Sequence, residues 1–289
     1  MKNITIIGIN GGFGKLFSQA LFEKDFQLTG VDQQLSVYEN APKLGYIQAN
    51  IFDFENKLKA VLQKTDALLF GIPEAVLLRV YQPILRTLTP GTLVIDTLSV
   101  KSPILDLAKV RDDLEILSLN PLFAPDLGFQ NQNIAAVSLH SGLRTGIFLQ
   151  LLREWGAKVS LLSAAEHDQL TAITQVATHF SLLSFGACLR KWGYQPKTEL
   201  FTPVHEILLS LVGRMVSQNA AVYWKIQTDN PYGQIAREMF LESAEEIKQL
   251  IDTEAFATFE KVFSGIGSTT QAIAGELKQN FLNYQHKQA

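Results

Sequence analysis

The chain has 289 residues, 47% hydrophobic and 18% charged, which is enough for a substantial core and most naturally for two domains. Net charge is −3 and its lysines and arginines are scattered. No basic stripe tracks phosphates, so no nucleic-acid partner is expected. A single cysteine, Cys188, excludes an internal disulfide and is expected as a buried thiol in a helical run. No apolar run approaches the roughly 20 residues that span a bilayer, and Met1-Lys2 leads straight into a strand with no signal peptide. The expectation is a cytoplasmic protein with no membrane partner.

The first half alternates strand and helix signals. Short apolar strands are expected at 4–7, 27–31 (ending at Asp32), 67–72, 92–96, 115–119, 134–139 and 158–162, with a helix over 16–22. Continuous apolar strands between helices imply an α/β fold with a mostly parallel sheet covered on both faces.

Near Ser163 the pattern changes. Ser163 and Glu166 have capping-box spacing, and 167–189 reads as one long apolar helix. Leu170, Ile173, Val176, Ala177 and Phe180 recur along it at helical spacing, as a core or interface stripe does. Further helices are expected at 206–219, 234–251 and 255–273. The division therefore falls as domain 1–163 followed by an all-helical domain 164–289.

Gly8-Ile9-Asn10-Gly11-Gly12-Phe13-Gly14 follows the first strand and opens the first helix. Glycines there permit a tight turn and let backbone N–H groups approach a pyrophosphate, with the helix dipole behind them. Asp32 ends the second strand, 18 residues past Gly14, where a carboxylate would accept from the adenosine ribose and repel a 2′-phosphate. Gln33 and Gln34 follow, with no arginine or lysine, which favours NAD over NADP. Gly8, Gly11, Gly12, Phe13, Gly14 and Asp32 are the expected cofactor-binding residues, and no metal set is expected.

The ordered motifs resemble those of the prephenate dehydrogenase family. Asp96-Thr97-Leu98-Ser99-Val100-Lys101 is similar to its D-x-x-S-V-K segment, and Leu119-Asn120-Pro121-Leu122-Phe123-Ala124-Pro125 to its L-H-P-M-F-G-P segment. Trp155-Gly156-Ala157, Glu166-His167-Asp168, His179-Phe180 and Val212-Gly213-Arg214 match four more of its segments. The resemblance covers nearly the whole chain. It implies a Rossmann-like domain, a helical domain that makes a homodimer, a small-molecule substrate, and hydride transfer from C4 of a cyclohexadiene to NAD with loss of CO2. No fused chorismate mutase is expected.

By position, the resemblance puts Asn120, Ser99 and His179 at the reacting centre. Arg214, Lys101 and His205 become substrate-binding candidates, Arg214 as partner of the substrate carboxylate. For His167 and Asp168, helix-start capping and electrostatics are a sufficient explanation. A solvated Lys101 is an open alternative, as is a satisfied core role for His179.

Three departures stand out. The family's histidine, whose unperturbed pKa of about 6.5 suits a general base, is Asn120 here. Ala124 stands where the motif has glycine, and His205 where some members carry arginine. Asparagine forms hydrogen bonds but takes up no proton at neutral pH. A substrate with an amino group at C4 relieves that difficulty, and the family has such members, the 4-amino-4-deoxyprephenate dehydrogenases. Ordinary prephenate or arogenate oxidation, and a catalytically silent nucleotide-binding homologue, are the alternatives. A generic short-chain or 3-hydroxyacid dehydrogenase would need a Tyr-x-x-x-Lys pair or a lysine within 167–190, and the sequence has neither.

Overall fold

In the computed structural model, residues 1–36 and 44–286 are described. They divide into two compact units, Met1–Leu170 and Thr171–Ala289.

The first unit runs β1 (Asn3–Ile7), α1 (Gly12–Phe22), β2 (Gln27–Asp32), β3 (Leu44–Gln48), α2 (Phe54–Lys57), α3 (Lys59–Leu62), β4 (Ala67–Phe70), α4 (Glu74–Leu85), β5 (Leu93–Asp96), α5 (Ser102–Ala108), β6 (Glu115–Pro121), β7 (Asn133–His140), α6 (Leu143–Glu154), β8 (Lys158–Leu161) and the start of α7 (Ala164–Thr171). Its strands form one sheet in the order β3-β2-β1-β4-β5-β6-β7-β8. All neighbouring pairs are parallel except β6 with β7. The apolar strand residues divide by alternation between two cores. Ile7, Val31, Leu68, Phe70, Val94 and Ile116 face one, while Ile6, Leu28, Leu69, Ile95, Leu117 and Leu119 face the other. Helices cover both faces, as continuous apolar strands require.

Two features of the sheet were not expected. β3 lacks a buried apolar run, and β7 reverses direction, which the sequence pattern of a single strand does not encode.

The second unit begins with a π-helical turn, Ala172–Ala177, and continues through α8 (Thr178–Trp192), α9 (Pro203–Val216), α10 (Ala220–Asp229), α11 (Gly233–Asp252), α12 (Phe256–Thr270) and α13 (Ala274–His286). Helices α10 and α13 go beyond the sequence expectation. The expected capping box forms, with Ser163 N donating to Glu166 Oε2 at 2.8 Å and Glu166 N to Ser163 Oγ at 3.2 Å. The structural division falls after Leu170 rather than near 163, because the first turns of α7 hydrogen-bond into the first unit.

The helical stripe divides: Val176 is buried, while Leu170 and Ile173 are exposed, as the interface alternative allows. Two expectations need correction. Cys188 is exposed rather than buried. The helical run Ala164–Trp192 is long and apolar enough by length and composition to cross a membrane, although its residues 167 and 168 are fully buried polar groups. The second unit buries few large apolar side chains, Val176, Met215 and Ile226 among them, and exposes Trp192, Trp224, Ile235, Phe256 and Phe263.

Candidate active site

Strand order reverses beside β1, which lies between β2 and β4, so a crevice opens at the carboxyl ends of these strands. The glycine turn fills that position. Gly8 has φ +81°, a conformation L side chains rarely adopt, and a Cβ on it would lie 2.5 Å from the Gly71 carbonyl oxygen. A Cβ on Gly14 would clash with the Gly8 carbonyl oxygen. The start of α1 is thus packed directly onto the ends of β1 and β4, with no room for side chains.

A cavity of about 400 Å³ adjoins this turn, lined by Gly8, Asn10, Gly11, Asp32, Gln33 and Ile72 among others. Asp32 is oriented from both sides: Asn10 N donates to Oδ2 and Gln34 N to Oδ1, each at 3.1 Å. Asn10 Oδ1 is buried and accepts no hydrogen bond. A side-chain-free cradle, an oriented carboxylate and an unused buried acceptor fit a dinucleotide, whose ribose hydroxyls are donors and whose phosphates need backbone N–H groups.

The same turn touches the segment that carries Asn120. A Cβ on Gly12 would lie 2.6 Å from Pro125 Cγ, and Phe13 meets Phe123 edge-to-face at 6.1 Å. Ala124 has φ −80° and ψ 140°, an extended conformation that alanine adopts without strain, so the glycine-to-alanine departure leaves the backbone unchanged.

Asn120 is itself buried, near the end of β6. Its Nδ2 lies 3.0 Å from His167 Nε2 and 3.5 Å from the Ser99 carbonyl oxygen. His167 Nδ1 is 2.8 Å from Asp168 Oδ1. Asp168 also accepts from Lys101 N at 2.8 Å, Ser102 N at 2.9 Å and Ser102 Oγ at 2.5 Å.

Lys101 lies beneath this group, fully buried, and Nζ donates to the Leu98 carbonyl at 2.6 Å, the Leu119 carbonyl at 2.7 Å and Ser118 Oγ at 2.8 Å. Ser118 Oγ donates to Asp96 Oδ1 at 2.5 Å. All three ammonium hydrogens are used, as a buried charge requires.

Burial dominates the electrostatics of the cluster. It pushes the Lys101 ammonium down to about 8 against the pull of Asp96, Asp168 and Glu74. It pushes Asp96 up, opposed by Lys101, Ser118 and the Leu98 amide. His167 is held below its usual value by burial and the Lys101 cation. Burial also opposes ionisation of Asp168, but hydrogen bonds from His167, Ser102 and the two backbone amides outweigh it and lower its value. The result is a carboxylate beside a neutral imidazole.

The structure gathers Ser99, Lys101 and Asn120, but it corrects the substrate-binding expectation for Lys101, which is fully buried with all three ammonium hydrogens spent on the chain's own acceptors. It also corrects the sequence reading for His167 and Asp168, which sequence alone explains as helix-start residues: both side chains are fully buried and join the cluster. The signal for them was the Glu166-His167-Asp168 motif. It also removes the solvated alternative for Lys101.

In the helical unit, His179 meets Tyr223 edge-to-face at 5.0 Å, and its Nδ1 is buried without a hydrogen-bond partner. Burial holds its pKa down. It is therefore not a satisfied core histidine. His205 Nε2 lies 2.7 Å from the Tyr194 hydroxyl, among the rings of Phe185, Tyr194 and Phe201. Arg214 is exposed, in the last turn of α9.

A doubly wound sheet with its glycine turn at the switch point, an acid closing β2 and a polar cluster beyond β5 and β6 define a dinucleotide-binding oxidoreductase of the α/β class. Residues 163–265 match the family model described as prephenate dehydrogenase, dimerization domain. The chain is 28% identical over 278 residues to a 4-amino-4-deoxyprephenate dehydrogenase from Streptomyces pristinaespiralis, covering 95% of this chain and 93% of that protein. It is 27% identical over 275 residues to a probable arogenate/prephenate dehydrogenase from Methanocaldococcus jannaschii, covering 91% of this chain and 60% of that protein. Its fold is shared with the crystal structure of prephenate dehydrogenase from A. aeolicus in complex with hydroxyphenyl propionate and NAD+, at TM-score 0.72 and 17% identity over 94% of this chain and 98% of that one. Along nearly its whole length the chain is thus similar to dehydrogenases of the prephenate and arogenate type, with the dimerization-domain match confined to residues 163–265.

Proposed function

We propose that this protein catalyses the NAD-dependent oxidative decarboxylation of 4-amino-4-deoxyprephenate to 4-aminophenylpyruvate. The observation that carries this reading is Asn120. It sits buried where the family motif has its histidine, in hydrogen-bond contact with His167. The Streptomyces pristinaespiralis relative, which matches along nearly its whole length, supports the same choice.

On this reading the chain's residues act as follows. Gly8, Gly11, Gly12 and Gly14 admit the pyrophosphate, Phe13 supports the turn, and Asp32 receives the ribose hydroxyls and repels a 2′-phosphate, which selects NAD. Bound NAD supplies the hydride acceptor. The C4–H electron pair leaves the substrate ring, the C1–carboxylate pair moves into the ring, CO2 departs, and the ring becomes aromatic. C4 keeps its amino group with both hydrogens, so no proton has to leave in the hydride step. Positive charge develops on that nitrogen, and a hydrogen bond from its N–H to Asn120 Oδ1 stabilises it. A hydroxyl at C4 becomes a far stronger acid at that stage, and there the lost histidine would be missed, by roughly 10²–10⁴-fold.

Ser99, next to Asn120, meets the reacting group, and Lys101 holds both loops from below. On the resemblance, Arg214 pairs with a substrate carboxylate, while His179 and His205 complete the substrate contacts. The domain roles follow: 1–163 holds the cofactor, and 164–289 contacts substrate and forms a cytoplasmic homodimer, whose interface would cover the apolar side chains exposed on the helical unit.

The test is product identity. Purified protein incubated with NAD and 4-amino-4-deoxyprephenate is expected to release NADH, CO2 and 4-aminophenylpyruvate in equal amounts. NADH formation with no loss of CO2, or no NADH at all, would defeat the assignment.

A further inference from the structure

Asparagine amides can flip, so an asparagine that receives a substrate hydrogen bond needs something to decide which end it presents. Here the decision propagates from Asp168. As a carboxylate it can only accept, and it already receives hydrogen bonds from Lys101 N, Ser102 N and Ser102 Oγ. The hydrogen between Asp168 Oδ1 and His167 Nδ1, 2.8 Å apart, therefore belongs to Nδ1. In a neutral imidazole this leaves Nε2 as an acceptor. Only the amide nitrogen of Asn120 satisfies an acceptor 3.0 Å away, because Oδ1 there would set lone pair against lone pair. The second Nδ2 hydrogen lies toward the Ser99 carbonyl, 3.5 Å away, which is again an acceptor. Both described contacts of the Asn120 side chain thus use its nitrogen, and Oδ1 is left over.

We propose that His167 and Asp168 are positioning residues that lock the Asn120 amide with its oxygen presented to the reacting C4 group, making this position a fixed acceptor for a substrate N–H. The proposal rests on the reading that Asn120 meets C4, and it adds what orients that contact. A protonated His167 would reverse the amide, offering NH2 where the substrate also has donors. Burial and the nearby Lys101 cation keep the imidazole neutral. The members of the cluster are tied to one another: Lys101 Nζ donates to the Leu119 carbonyl, immediately before Asn120, and Asp168 accepts from the backbone N–H of Lys101.

Two measurements test this. The first needs no substrate. In protein labelled with 15N-histidine, the signal assigned to His167 by its loss in His167→Asn is expected to show the neutral Nδ1–H tautomer at assay pH. The Nε2–H tautomer, or an imidazolium, would overturn the proposal even if the amino substrate is turned over. The second is a double-mutant cycle on that turnover. His167→Asn is expected to lower kcat roughly tenfold, with KM for NAD unchanged. His167→Gln, whose side-chain oxygen can still accept from Asn120, recovers part of that loss. In an Asn120→Ala background, His167→Asn has no further effect. Independent, fully additive losses would mean that His167 does not act through Asn120. If no cyclohexadiene is oxidised at all, the functional reading fails while the tautomer still decides the orientation.

Discussion

The ammonium of Lys101 donates to the carbonyl of Leu119 at 2.7 Å, so the loop after β5 fixes the backbone immediately before Asn120. The same ammonium bonds the Leu98 carbonyl and, through Ser118, reaches Asp96 at the end of β5. A charge with no solvent exposure ties two strand ends together beneath the site.

Lys101→Met should therefore be strongly destabilising. It removes the partner of the buried Asp96 and leaves three acceptors without donors, a change worth about 3 kcal/mol. Urea unfolding of wild type and variant, at a pH where both are folded, checks this. A change below 1 kcal/mol would mean that water replaces the ammonium without loss.

Asp168 makes stability sensitive to acid. Its pKa is lowered in the folded protein, so its contribution is fully present above the ordinary carboxylate value near 3.8 and is lost as pH falls below that through the folded value. Asp168→Asn should flatten the acid limb of the stability profile below pH 4 while lowering stability at neutral pH. Unfolding midpoints measured across that range give the answer, and parallel profiles for the two proteins would contradict it.

Asp32 should govern cofactor choice. Asp32→Asn removes the charge that repels a 2′-phosphate and weakens the hydrogen bonds to Asn10 N and Gln34 N. We expect the Kd for NAD to rise roughly tenfold and the discrimination against NADP to shrink. Fluorescence titrations with both cofactors measure this, and an unchanged NAD/NADP ratio would remove Asp32 from the specificity account.

Much of this was legible in the sequence because it is local. The glycine turn, Asp32 and the apolar strands are each specified within about ten residues by spacing and composition. Strand β3 escaped because Leu44–Gln48 is only half-buried and includes Gly45, so it carries no continuous apolar run. The direction of β7 is a property of its pairing with β6. His167 reads locally as a helix-start residue; its contact with Asn120 spans 47 positions and exists only after folding. The burial of Lys101 was hidden for the same reason, since its three acceptors lie on two separate strand ends. Cys188 was misread because helical periodicity identifies an apolar face without saying whether the same chain covers it.

NADH formation by wild type and Asn120→His, with NAD and either 4-amino-4-deoxyprephenate or prephenate, decides whether Asn120 sets the substrate. Wild type is expected to oxidise the amino compound and to be poor on prephenate, and the histidine, set beside His167, to raise prephenate turnover by roughly 10²-fold or more. Equal wild-type rates on both compounds, with no gain in the variant, would contradict that role for Asn120.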